Sequence, residues 1–143
     1  MRYVQLMISW LCFMALFMAA ALGLEMLEGY NIATSEYYGL RNLGAVFVFL
    51  LFVYGLAAYL IAALPLALLD YRLRLNGWVW AALWSVLGAL GGYTLFHNSY
   101  AHWTDRGYEL NVLTAVLLFG AAGLLYGLLW RMLQLRASRA DGR

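Results

Sequence analysis

Four apolar stretches, each long enough to cross a lipid bilayer as a helix, occupy most of the chain and constrain its fold more than any other feature. The hydrocarbon core of a bilayer is about 30 Å thick, and a helix rising about 1.5 Å per residue crosses it in roughly 20 residues. The sequence contains such stretches at residues 3–24, 43–69, 78–96 and 110–130. Because lipid cannot satisfy backbone polar groups and these stretches do not alternate polar with apolar residues, we predict helices and not the strands of a barrel.

The composition excludes a water-soluble domain. Hydrophobic residues make up 66% of the chain and charged residues 11%, whereas soluble domains have about 45–50% apolar and about 25% charged residues. We therefore predict an all-α integral membrane protein whose single domain, residues 1–143, is a four-transmembrane-helix bundle of two consecutive helical hairpins. The first apolar run is longer than the roughly 7–15 residues of a signal-peptide core, which favours an uncleaved first span. Cleavage would leave three spans.

The arginines predict the orientation. The chain contains no lysine, and seven of its nine arginines lie at the span ends that share a side with the two termini. This asymmetry predicts that both termini are cytoplasmic, as in a multi-pass protein of the bacterial inner membrane (plasma membrane). We expect Arg72, Arg74, Arg131 and Arg136 to meet anionic lipid headgroups on that side, the last two within a short basic tail, residues 131–143. We do not expect nucleic-acid binding, because these arginines form a thin layer without a folded domain to present them.

Small residues predict where the helices pack. The third and fourth spans carry glycines three or four residues apart, which places them on one helical face: Gly88, Gly92, Gly120, Gly123 and Gly127. In lipid, such residues let two helix backbones approach closely. Two interpretations stay open: the glycine face packs the bundle internally, or it docks a partner protein or a second copy of the chain.

The predicted spans contain no Asp, Glu, Lys, Arg or His. Proton- and ion-coupled transporters usually keep at least one such group at depth, so this absence argues against that class. Glu25, at the outer end of the first span, is interpreted as an interfacial anchor. Cys12 has no second cysteine to form a redox pair, and we predict no cofactor. Pro65 predicts a kink or an interruption of regular hydrogen bonding in the second span.

One group of side chains on the predicted outer side has possible chemistry. Its members are Glu25, Glu28, His97, His102, Asp105 and Glu109. If they converge, they would bind a divalent metal or act as general acid and base on a lipid headgroup. The spacing of His97 and His102 places them on different faces of a helix, and no His-Glu-x-x-His motif is present, so we assign no metal and no catalytic residue. The alternative is a hydrated surface with an ion pair between Arg106 and a carboxylate, worth about 0–1 kcal/mol.

These observations favour a non-enzymatic protein that works by interaction. We predict an accessory, regulatory or protective subunit whose partners are membrane lipids and either another membrane protein or a second copy of the chain. The first alternative is an oligomeric small transporter or channel component, with its path at a subunit interface. A weaker alternative is an enzyme that binds a metal or acts on lipid at the outer rim.

Overall fold

The computed structural model describes residues 2–73 and 75–140, apart from the side chains of the first and last of these, and contains no strand within them. The helices are α1 (Arg2–Leu27), α2 (Leu40–Leu43), α3 (Ala45–Ala58), α4 (Leu64–Leu73), α5 (Gly77–Ser99), α6 (Ala101–Asp105) and α7 (Val112–Ala140). A 3₁₀ turn at Gly29–Asn31 follows α1, and a π-helical segment at Tyr59–Ala63 joins α3 to α4. The prediction of an all-helical chain is confirmed in these residues.

Four helical segments are long and apolar enough to cross a membrane, which confirms the predicted number of spans. They are Tyr3–Asn31, Ala45–Leu73, Gly77–Ser99 and Val112–Arg139. All four extend beyond the predicted bounds at one or both ends. The first two thereby include acidic residues that the prediction left outside the spans, namely Glu25, Glu28 and Asp70. The structure thus corrects the prediction that the spans contain no ionisable residue.

Local sequence explains where two of the helices begin. The Asn76 side chain accepts a hydrogen bond from the Trp78 backbone N–H at 3.2 Å, which caps the first turn of α5. Gly44 separates α2 from α3 with a φ of 56°, a value that favours glycine because it has no Cβ.

Pro65 interrupts the second span as predicted. The segment Tyr59–Ala63, which ends two residues before it, is π-helical. Proline lacks a backbone N–H and its ring clashes with the carbonyl four residues earlier, so the wider π turn accommodates it without ending the helix.

The contact between α5 and α7 uses glycines from both helices. A Cβ on Gly88 would collide with the Phe119 carbonyl oxygen, and one on Gly92 would lie 2.8 Å from the Phe119 Cβ. On α7, a Cβ on Gly127 would lie 2.6 Å from the Cα of Ala81. Because contacts at the end of α5 involve the start of α7, the two helices run in opposite directions.

The remaining two glycines of the predicted face belong to the same contact. A Cβ on Gly123 would collide with the Trp84 carbonyl oxygen, and one on Gly120 would lie 3.5 Å from the Ala89 Cβ. All five glycines therefore pack α5 against α7 inside this chain.

An aromatic cluster fills the bundle between α1, α5 and α7. The Tyr126 ring packs edge-on against Trp84, with centroids 4.7 Å apart, and against Phe13 at 5.3 Å. The Tyr126 hydroxyl is 2.6 Å from that of Ser9, so its polar end is paired within the apolar interior. A small apolar cavity of about 140 Å³ lies beside this cluster.

The second span lies at the edge of the bundle. Of its most apolar 18-residue window, 17% is buried inside the structure, compared with 33% for the fourth span. Leu51, Gly55 and Tyr59 face the interior, where Gly55 packs against Phe17 of α1. Most of the other faces of α3 are exposed, and a groove separates α3 from α5.

Candidate functional site

Glu25 is a buried acceptor at one end of the bundle, although the sequence suggested an interfacial anchor. It lies near the end of α1 and is 1% exposed. Its carboxylate accepts hydrogen bonds from the Tyr37 hydroxyl at 2.5 Å, the Tyr100 hydroxyl at 2.8 Å and the Leu40 backbone N–H at 2.9 Å. One carboxylate thus ties α1 to the 32–39 loop, to the start of α2 and to the residue after α5.

The two tyrosines around Glu25 are held in their protonated form. Burial raises the pKa of Tyr37, and the neighbouring Tyr100 and Glu25 raise it further. Burial also raises the pKa of Tyr100, and the negative charge of Glu25 adds to that effect. Both hydroxyls therefore remain hydrogen-bond donors at neutral pH.

Glu28 makes a second connection at the same end. It is 7% exposed, and its carboxylate accepts a hydrogen bond from the Asn111 backbone N–H at 2.9 Å and another from the Thr114 hydroxyl. These bonds join the end of α1 to the start of α7, where backbone N–H groups have no helical acceptor.

Asp70 plays the equivalent part at the opposite end, which the sequence analysis missed. It follows directly after the predicted second span, residues 43–69, but it lies within α4 and is 2% exposed. Its carboxylate accepts a hydrogen bond from the Trp130 indole N–H at 2.6 Å, and others from the Trp80 indole and the Gln134 amide. The sequence signal was the position of Asp70, which lies between the second and third predicted spans and close to Trp80. An indole N–H that is buried near a helix end needs an acceptor, and a neighbouring acid can provide one.

The other residues of the predicted polar site are not gathered around these carboxylates. His97, His102, Asp105 and Glu109 are exposed, whereas Glu25 and Glu28 are buried. Within residues 2–73 and 75–140, no group of three or more His, Cys, Asp or Glu side chains is arranged to hold a metal ion. The carboxylate oxygens of Glu25 and Glu28 accept hydrogen bonds from donors of the chain itself. The predicted site is therefore divided between two buried acids and four exposed side chains.

The arginines singled out in the sequence lie in different surroundings. Arg106 forms an exposed ion pair with Glu36 at 2.7 Å, which confirms the predicted Arg106–carboxylate pair. The Arg131 guanidinium lies over the Trp78 ring, 4.5 Å from its centroid. Arg72 and Arg136 are exposed, and Arg74 lies outside the described residues.

A groove that the sequence did not reveal lies between α3 and α5. Its volume is about 520 Å³. It is lined by Ala21, Tyr37, Tyr38, Phe47, Leu50, Leu51, Tyr54, Thr94, Leu95, Asn98, Ser99, Tyr100 and Trp103. None of these is an Asp, Glu, Lys, Arg or His, so the lining has aromatic and neutral polar side chains on an apolar floor. The sequence signal for the groove was Tyr54, one of the two tyrosines in the second predicted span.

Comparison with known proteins adds no relative. No family model, no curated protein and no solved structure matches the chain.

Proposed function

We propose that the protein is a non-enzymatic accessory subunit that binds a transmembrane helix of another membrane protein along its second span. The three buried carboxylates support a non-catalytic role, because each is engaged by donors that join one helix to another. The observation that carries the proposal is the peripheral position of the second span, which leaves its apolar length open to a neighbour.

The surface proposed for this contact is a stripe on the face of α3 and the π segment that points away from α1. The second-span stripe consists of Phe49, Val53, Leu56 and Leu60, whose spacing of four, three and four residues places them on one helical face. Phe49 is 64% exposed and Leu60 is 52% exposed. Such a spacing matches the seam of two helices that pack side by side, and helices associate in lipid through this kind of packing.

The membrane arrangement belongs to the same proposal. We place the chain in a plasma membrane as two consecutive hairpins with both termini in the cytoplasm, and the arginine distribution of the sequence supports this orientation. Fusion of a reporter that is active only in the cytoplasm to the C-terminus tests it. An active C-terminal fusion agrees with the proposal, and an inactive one contradicts it.

Co-purification tests the binding role. The chain is extracted gently from its native host into nanodiscs, and native mass spectrometry identifies the proteins that travel with it. We expect a stoichiometric second membrane protein that is lost when Phe49 and Leu60 are both replaced by alanine. The matched control replaces Leu113 and Leu117, which are also exposed on a span, by alanine, and should retain the partner.

Three results would contradict the proposal or part of it. If no second protein accompanies the unmodified chain, the accessory role is wrong. If only copies of the chain itself travel together, the oligomeric transporter or channel becomes the better interpretation. Loss of the partner in the control variant as well would place the contact elsewhere on the surface.

A further inference from the structure

We infer that a groove between α1 and α7 binds an anionic phospholipid, with the lipid phosphate at Arg136 and one acyl chain along the groove. The groove has a volume of about 240 Å³ and is lined by Ile8, Cys12, Leu129, Met132, Leu133 and Arg136. Sites that enclose a whole small molecule usually measure roughly 300–1,000 Å³, so this groove holds a segment of a chain and not an entire lipid. The inference is independent of the accessory role, because the second-span stripe lies on α3 and the π segment.

The groove has an apolar floor and one charged end. Leu129 belongs to the apolar stretch at residues 110–130, whereas Arg136 follows that stretch on α7. The two residues are seven positions apart, which is about 10 Å along a helix. Ile8 and Cys12 form the facing wall on α1. A phospholipid has the same order of groups, because its charged headgroup is joined to an apolar chain that runs alongside a helix.

The Arg136 guanidinium is open to an anion. Its side chain is exposed, and it forms no ion pair or hydrogen bond with another group in the described part of the chain. Arg139 lies three residues further along α7 and is also exposed, so the two side chains are neighbours on the helix surface. Neighbouring like charges repel each other. A phosphate between them would offset that repulsion and accept charge-assisted hydrogen bonds.

Other arginines are already engaged or lie in different surroundings. Arg106 is paired with Glu36, and Arg131 lies over the Trp78 ring. Arg41 borders a cavity in the loop before α3, where the other lining residues are Ala33, Thr34, Ser35 and Asn42. Most of those side chains are polar, whereas the groove at Arg136 combines an exposed guanidinium with an apolar floor.

The lining favours an anionic phospholipid over two related ligands. A free phosphate ion would leave the apolar walls uncovered, whereas an acyl chain would gain dispersion contacts with Leu129, Met132 and Leu133. A zwitterionic headgroup carries a cation beside its phosphate, which Arg136 and Arg139 would repel. A headgroup with a net negative charge meets both requirements.

The experiment compares two lipids that have identical acyl chains. Full-length protein in a non-ionic detergent is titrated with dioleoylphosphatidylglycerol, which is anionic, or with dioleoylphosphatidylcholine, which is zwitterionic. Native mass spectrometry measures the fraction of protein that carries one lipid at each concentration. A parallel titration adds glycerol 3-phosphate, which has the phosphate without the chains.

We expect saturable binding of one phosphatidylglycerol per protein, about fivefold tighter than phosphatidylcholine, the factor that one arginine contributes near a membrane surface. Arg136→Gln should lower the affinity for phosphatidylglycerol to that for phosphatidylcholine. Its unchanged binding of phosphatidylcholine would show that the variant is folded. Leu129→Trp fills the groove and should weaken the binding of both lipids. Glycerol 3-phosphate should not displace either lipid.

Two matched controls locate the site. Arg72→Gln removes the charge of another exposed arginine, which lies on α4 and outside the groove. Leu90→Trp adds the same bulk on α5 at a side chain that is 57% exposed and outside the groove. Both variants should bind the two lipids as the unmodified protein does.

Three outcomes would overturn the inference. Equal affinities of the unmodified protein for the two lipids would show that Arg136 does not select the headgroup. An equal loss in the Arg72→Gln and Arg136→Gln variants would assign the selectivity to the general positive charge of that end of the protein. Displacement of the lipid by glycerol 3-phosphate would assign the site to a soluble phosphate compound.

Discussion

The Tyr100 hydroxyl donates a hydrogen bond of 2.8 Å to the carboxylate of Glu25, which precedes it by 75 residues. This contact joins the end of α1 to the residue that follows α5, and both side chains are buried. A charged acceptor in such a place needs several donors, and Tyr37 and Leu40 provide the others. The Glu25 cluster therefore holds together the loops and helix ends at one side of the bundle.

Replacement of Glu25 should destabilise the fold. Glu25→Ala leaves two buried hydroxyls and one backbone N–H without an acceptor, and we expect a loss of about 1–3 kcal/mol. Glu25→Gln keeps one carbonyl acceptor and should lose less. Unfolding by a denaturing detergent, followed by circular dichroism, measures the change.

The control for Glu25 is Glu36→Gln, because the Glu36 side chain is 67% exposed. It should leave the unfolding midpoint almost unchanged. A Glu25→Ala protein as stable as the Glu36 variant would show that the cluster does not stabilise the fold.

The stability of the same cluster should fall in alkaline solution. The pKa values of Tyr37 and Tyr100 are raised above the ordinary 10.0 in the folded protein, so the folded state keeps these protons to higher pH than the unfolded state does. Their contribution to stability is therefore complete below pH 10 and is lost progressively as the pH rises above it. Unfolding curves between pH 8 and pH 11 measure this loss.

A variant with both Tyr37 and Tyr100 changed to phenylalanine provides the comparison. It should be less stable at pH 8, because Glu25 loses two donors, but its stability should depend less steeply on pH above 10. An equally steep loss in this variant would assign the alkaline effect to other groups.

Asp70 should be as important at the opposite end. Asp70→Ala leaves the Trp80 and Trp130 indole N–H groups and the Gln134 amide without their shared acceptor, and we expect a loss of about 1–3 kcal/mol. Tryptophan fluorescence during detergent-induced unfolding measures it. Asp105→Ala is the matched control, because Asp105 is exposed. Equal midpoints for the two variants would contradict the structural role of Asp70.

Two adjacent glycines give a sharp test of the contact between α5 and α7. A Cβ on Gly92 would lie 2.8 Å from the Phe119 Cβ and would collide with the Ala115 carbonyl oxygen, whereas one on Gly91 would meet nothing within 4 Å. Gly92→Ala should therefore cost about 1–3 kcal/mol through overpacking. Gly91→Ala should be neutral or stabilise by about 0.4–1 kcal/mol, because alanine restricts the unfolded chain.

The unfolding midpoints of the two proteins decide the question directly. If Gly91→Ala destabilised the protein more than Gly92→Ala does, the result would contradict the assignment of Gly92 to the face of α5 that packs against α7. Because the two positions are neighbours on one helix, differences in helix propensity cancel in this comparison.

The glycine pattern shows how far sequence reasoning reaches. The spacing of Gly88 and Gly92 predicts a close helix contact, and such a contact is present. The spacing does not say which helix lies opposite, because any small-residue face fits a neighbour within the chain or outside it. Only the position of Phe119 against both glycines places the contact inside the bundle.

By itself, the sequence determined the four apolar helices and the interruption before Pro65, because hydropathy and proline geometry act over a few neighbouring residues. The tertiary structure decided which acids are buried and where a groove remains open. Glu25 and His97 both lie near span ends in the sequence, yet only Glu25 finds donors that make its burial possible. Those donors come from distant parts of the chain, and no local pattern records which distant residues will meet.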